Sequence, residues 1–146
     1  MRRVAIVLLC CAGLAARAAE SLRLPVLRND GVRVELQVEV AVSSEARRVG
    51  LMGRTALAPR SGMLFDFQRS ATVTMWMKNT PLSLDMLFLD AGGRIAWLRA
   101  CTTPGSLELI SPPAPVRYVV EIAGGEAEAL GLAPGDRALL SALGRP

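Results

Sequence analysis

Histidine is absent from the 146 residues, lysine occurs once, at position 78, and aromatic residues make up only 4% of the chain. Without an imidazole the chain lacks the side chain that ordinarily titrates near neutrality. That excludes Ser-His and Cys-His nucleophile pairs and removes the commonest metal ligand. Cysteine is scarce as well: of the three, Cys10 and Cys11 fall in the leading segment, which leaves Cys101 with no intrachain partner. A zinc site built from one thiolate and carboxylates would be unlike ordinary zinc sites, so neither a metal nor a cofactor is expected. No Gly-x-Gly-x-x-Gly follows a strand, and neither a phosphate-cradling Gly-x-x-x-x-Gly-Lys nor a Gly-x-Ser-x-Gly elbow occurs. Nucleotide-binding and α/β-hydrolase chemistries therefore drop out.

The first residues read as an address. Met1-Arg2-Arg3 is a short basic head, residues 4–14 are an apolar run, and Ala16-Arg17-Ala18 offers a small-x-small cleavage pattern. We read residues 1–18 as a secretory signal, shorter than the roughly 20 apolar residues that a spanning helix needs. A lipoprotein reading of Cys10 or Cys11 lacks the small residues expected before the cysteine. Removing Arg2, Arg3 and Arg17 lowers the 17 basic residues to 14, against 13 acidic ones. The mature chain then has no basic block, and with few aromatics it offers nucleic acid no electrostatic footprint. A periplasmic or secreted location is expected, with no nucleic-acid partner and no membrane once the signal is removed. In such a protein Cys101 is expected to be buried as a small apolar residue.

Residues 19–146 are enough for one domain with one core, without disulfides. Residues 24–28 and 32–42 read as strands around Asn29-Asp30-Gly31. In the second, Val32, Val34, Leu36, Val38 and Val40 alternate with polar residues, the mark of a half-buried strand. Ser43 suits a helix N-cap, Glu45 its first turn and Gly50 its stop. Further strands are expected over 63–67, 73–77, 84–89, 94–101, 118–122 and 137–141, with a short helix over 125–130. The proline-rich stretch 102–115 reads as a long surface loop. The fold class expected is α+β and mainly β: a compact barrel-like or strongly curved sheet with two short helices.

The candidate site gathers at the end of the proposed 73–77 strand. Side chains alternate along a strand, so Trp76 and Lys78 share one face while Val73, Met75 and Met77 share the other. Pro81 ends the turn after Asn79-Thr80, and Asp85 returns on the next strand, where it is expected to meet Lys78. This gives a small polar pocket with an aromatic wall. The competing reading is a structural clasp, in which Lys78 pairs with Asp85, Asn79 satisfies the turn and Trp76 belongs to the core. Glu121 sits among apolar residues of a strand and would need a partner, either Arg54 or Lys78. Arg54 clusters with Arg47 and Arg48 near a helix end, where a solvated face competes with anion binding. Met52, Met63, Met75, Met77 and Met86 could in principle hold Cu(I), but thioethers at these positions are expected to fill core.

These residues resemble the DUF192, or UPF0127, family of small, often exported bacterial and archaeal domains. The likeness rests on Gly50-Leu51-Met52 with Arg54, Gly62-Met63-Leu64-Phe65 with Phe67, and Trp76-Met77-Lys78-Asn79-Thr80 with Leu84-Asp85 and Phe88. It continues through Asp90, Gly93, Ile95, Tyr118-Val119, Glu121, Gly125, Gly131 and Gly135-Asp136. It covers residues 32–140 and implies a mostly β domain, but brings no activity, substrate or cofactor. Some members carry two cysteines flanking the long loop; here only Cys101 stands, so the resemblance implies no loop disulfide.

The expected role is non-enzymatic binding of a small polar or envelope-derived ligand by Trp76, Lys78, Asn79, Asp85, Glu121 and Arg54. One alternative is an enzyme that uses Lys78 with Asp85 or Glu121 as base. The other is an accessory envelope protein that docks on a partner through an exposed apolar patch.

Overall fold

A computed structural model describes residues 21–144; the expected signal, residues 1–18, lies outside them. The chain enters through β1 (Ser21–Leu27), turns at Asn29-Asp30-Gly31 and returns as β2 (Arg33–Ala41), the two strands pairing antiparallel. Val34, Leu36 and Val38 are buried while Arg33, Glu35 and Gln37 face water, as the alternation requires. Ser43 then caps α1 (Ser44–Val49), its Oγ accepting the Ala46 N–H at 3.1 Å, and Gly50 ends the helix at a φ of 48°. This crossover brings β3 (Ser61–Ala71) parallel to β2.

The next strands are β4 (Leu84–Leu89), β5 (Ile95–Arg99) and β6 (Val116–Ala123), followed by the short helix α2 (Glu126–Ala129), the two-residue β7 (Arg137–Ala138) and a 3₁₀ turn at Leu140–Leu143. The seven strands form one sheet in the order β5-β4-β6-β3-β2-β1-β7, curled into a nearly closed barrel. Its two edges meet through the Gly135 and Ile95 amides and the Ala138 amide, which donate to Ile95, Asp136 and Gly93 carbonyls, each at 2.8 Å.

Curling gives the sheet two apolar faces. The inner one collects Leu24, Leu36, Leu64, Leu87, Val120 and Ile122. The outer one collects Phe65, Met63, Met86, Phe88 and Val119, and lies against α1 residue Ala46, the turn residue Leu51 and residues of the 73–82 and 102–115 segments. β4 is buried along its whole length because both faces are covered.

Three expectations change. Residues 73–77 form no strand: only Met75 bridges, to Ile110 in the proline-rich loop, whose missing backbone donors cannot continue a ladder. The alternation survives without the strand, since Val73 and Met77 are buried while Thr74, Trp76 and Lys78 are exposed. At the C-terminal end, only Arg137–Ala138 pairs before the chain tightens into the 3₁₀ turn. Cys101 is exposed, at a φ of 48°, so the thiol is not core.

Candidate functional site

Asp85 is the most tightly held polar side chain of the region. It is fully buried, and its carboxylate accepts backbone amides of Cys101 (2.8 Å), Gly125 (3.1 Å) and Ala127 (2.8 Å). The last two are orphan donors at the start of α2, so the acid caps that helix and pins it to the loop after β5. The expected meeting of Asp85 with Lys78 does not occur, because Asp85 is fully engaged by these amides, and no ion pair joins the two among the described residues. Lys78 instead lies exposed, its Nζ 5.0 Å from the Trp76 ring centroid, a cation–π contact. Asn79 takes a φ of 55°, and its carbonyl accepts the Gly53 amide at 2.8 Å. An amide side chain tolerates that left-handed turn position.

Arg54 pairs with Glu39, Nη1 at 2.5 Å from Oε1 and Nη2 at 2.7 Å from Oε2, a bidentate geometry that holds its guanidinium further above its already high pKa. It is therefore not the partner of Glu121, and neither is Lys78. Glu121 lies on β6 directly opposite Met63 of β3 and Met86 of β4, so the three side chains share the outer face. Asp85 is opposite Ile122 and faces the other side. Among the described residues the Glu121 carboxyl makes no hydrogen bond and no ion pair. Burial alone, at 4% exposure, pushes its pKa up to about 8, so it is a neutral acid at pH 7.

That carboxyl forms part of the wall of a crevice of about 30 Å³, roughly the volume of one water molecule. Leu51, Met52, Phe65, Met75 and Trp76 make the apolar walls, Thr80 adds a hydroxyl, and Arg47 and Arg48 border it from α1. Gly50 is required here: a Cβ would come within 3.1 Å of the Phe65 ring, and its φ is positive. Thr80 also lines an open groove of about 620 Å³ with Gly53, Asn79, Pro81, Pro104 and Gly105. The groove is the larger space but contains no charged side chain; the unspent chemistry is in the crevice beside it.

The structure thus brings Trp76 and Glu121 to one crevice, sets Lys78 on the Trp76 ring and Asn79 in the adjoining groove, and places Asp85 and Arg54 in separate structural roles. Sequence reasoning gave no role to Thr102 or Asp136. The Thr102 hydroxyl is buried, accepting the Leu84 amide and donating to the Leu84 carbonyl, both at 3.0 Å. Asp136 accepts the Asn29 and Ala133 amides at 2.8 Å. Its place after Pro134-Gly135 was the only available signal, that of a turn acid. Met63, Met77 and Met86 pack in the outer cluster, with Met75 half-buried against it.

Comparison with known proteins adds the relatives. A model of the DUF192 family, described as Uncharacterized ACR, matches residues 26–140. A crystallised protein from Sinorhizobium meliloti 1021, described as a candidate transcription regulator, is 41% identical; the alignment covers 83% of this chain and 94% of that one, with a TM-score of 0.81. A protein of unknown function from Novosphingobium aromaticivorans DSM 12444 is 31% identical over 85% of this chain and 88% of its own, with a TM-score of 0.79. No curated protein matches the chain.

Proposed function

The chain belongs to the DUF192 family, and from that footing we propose that it is an exported, non-enzymatic binding domain for a small polar or envelope-derived ligand. The ligand would lie in the groove at Asn79 and Thr80 and reach past Trp76 to Glu121. The observation that carries this reading is the buried Glu121 carboxyl without a partner, which borders an opening to the surface. An acid largely withdrawn from water and given no hydrogen bond by the protein loses free energy on folding, on the order of 1–3 kcal/mol. A ligand that supplied the missing bond would recover part of it. The walls provide the rest of a small-molecule site: one indole, two thioethers and a hydroxyl.

Two features bear on the alternatives. A carboxyl with a pKa of about 8 could exchange protons near neutrality, which favours the acid/base reading, but the Lys78 ammonium rests on an exposed indole rather than against a reacting position. The regulator description belongs to the Sinorhizobium protein; this chain has neither a basic block nor aromatic interleaving to carry it over.

Thermal-shift screening of residues 19–146 against envelope sugars, amino acids, peptides and small organic acids tests the proposal. A ligand that raises the melting temperature of the wild type, and does so less for Trp76→Ala and Glu121→Leu, is the expected result. Ligands that act equally on all three proteins would remove the site from this crevice.

A further inference from the structure

Resting on the binding reading above, we propose that the Glu121 crevice receives the carboxylate head of a small organic acid, one of whose oxygens accepts a hydrogen bond from the Glu121 carboxyl. Size is the first argument. The crevice admits a group about as large as a water molecule, which suits a single oxygen of a carboxylate and leaves the rest of the ligand to run over Trp76 toward the groove shared through Thr80.

Charge is the second argument. Glu121 is flanked by Met63 on β3 and Met86 on β4, with Phe65 also lining the crevice, and none of these titrates. From α1 come Arg47 and Arg48. Arg48 is offset by Glu45 at 2.6 Å, whereas Arg47 donates only to the backbone carbonyls of Val42 and Asp66 and enters no ion pair among the described residues. From the segment after β3 comes Lys78, held on the Trp76 ring. Arg47, which also stacks on the Phe67 ring, thus borders the crevice without an ion pair, Lys78 lies next to it on the Trp76 ring, and no acid other than Glu121 lines it. A ligand anion is drawn to that border, while an ammonium ligand would face Arg47 and Lys78.

The proton on Glu121 sets the sign of the contact. A neutral carboxyl can donate to a carboxylate oxygen in a charge-assisted bond of the short, strong kind, whereas two ionised carboxylates would repel. Binding therefore requires Glu121 to keep its proton, and affinity should decline once it is lost.

The experiment follows the Trp76 indole N–H by NMR during titration with propionate, propionamide and propylamine at pH 6 and pH 9. Propionate should bind at pH 6 and about tenfold more weakly at pH 9, given a Glu121 pKa of about 8. Glu121→Gln keeps a donor of the same shape, so it should still bind propionate, with the pH dependence gone. Lys78→Gln should weaken propionate and leave propionamide unchanged. Propylamine that binds more tightly at pH 9, or propionamide that matches propionate at both pH values, would overturn the assignment to carboxylates. If propionate fails while the thermal-shift panel yields a ligand sensitive to Glu121→Leu, this inference falls and the binding reading stands. If neither gives a response that depends on Glu121, both fall.

Discussion

At the residue scale, Glu121 and Lys78 behave oppositely to a matched pair. Glu121 is buried without a counter-charge and stays protonated; Lys78 is exposed and shares its charge with an indole. The folded pKa of Glu121, about 8, lies above the ordinary 4.5, so folding favours the protonated form. Its contribution is fully present below about pH 4.5 and declines by about 1.4 kcal/mol per pH unit as the pH rises toward 8. Chemical denaturation of the wild type and Glu121→Gln between pH 5 and 8.5 should show this slope in the wild type and a much flatter one in the variant. Lys78→Ala removes only an exposed cation–π contact, so it should cost about 0.5–1 kcal/mol in the same assay. A loss of several kcal/mol would restore the clasp that Lys78 was expected to form.

At the scale of elements, a single acid ties three segments together. Asp85 on β4 bonds the loop after β5 and the start of α2, 40 and 42 residues ahead in the chain. Asp85→Ala leaves three backbone amides without their acceptor and should destabilise the domain by at least about 3 kcal/mol, measured by urea unfolding. Asp85→Asn, which keeps one acceptor oxygen, should recover part of that. β3 carries a comparable constraint at Gly62, where a Cβ would fall 1.9 Å from the Glu121 carbonyl oxygen. Gly62→Ala should therefore lower the melting temperature and shift the Glu121 titration together, because β3 and β6 must separate to admit the methyl group.

Much at this scale was legible in the sequence. The alternation of β2, the Ser43 cap and the Gly50 stop are local signals, and local structure follows them. The faces of residues 73–78 were legible too, although the strand was not, since pairing depends on what the opposite segment can donate. The partners of Asp85 and Arg54, and the lack of one at Glu121, were not legible. Each is decided by which distant strand lies alongside, and a run such as Tyr118-Val119-Val120-Glu121-Ile122 says that a carboxyl is buried without saying what faces it.

At the scale of the whole molecule, the barrel is held shut by a short seam rather than by a full ladder. β7 has two residues, and the edges join around Gly93, Ile95, Gly135 and Ala138. Hydrogen exchange should show the Ala138 and Ile95 amides opening before those of Val120 on β6, which lies between two paired strands. Gly93→Ala would place a Cβ 2.3 Å from the Ala138 carbonyl oxygen and should accelerate exchange along the seam. The Glu121 crevice is on the outer face and shares no lining residue with this opening, so a ligand bound there as proposed should leave the seam's exchange largely unchanged. Everything proposed about function returns to the state of that one carboxyl. Its direct measurement is a carbon-13 NMR titration of the Glu121 side-chain carboxyl in the unliganded domain. A single transition near pH 8 is the result predicted here; a transition near 4.5 would mean that the acid is solvated or paired, and the site would lose its defining feature.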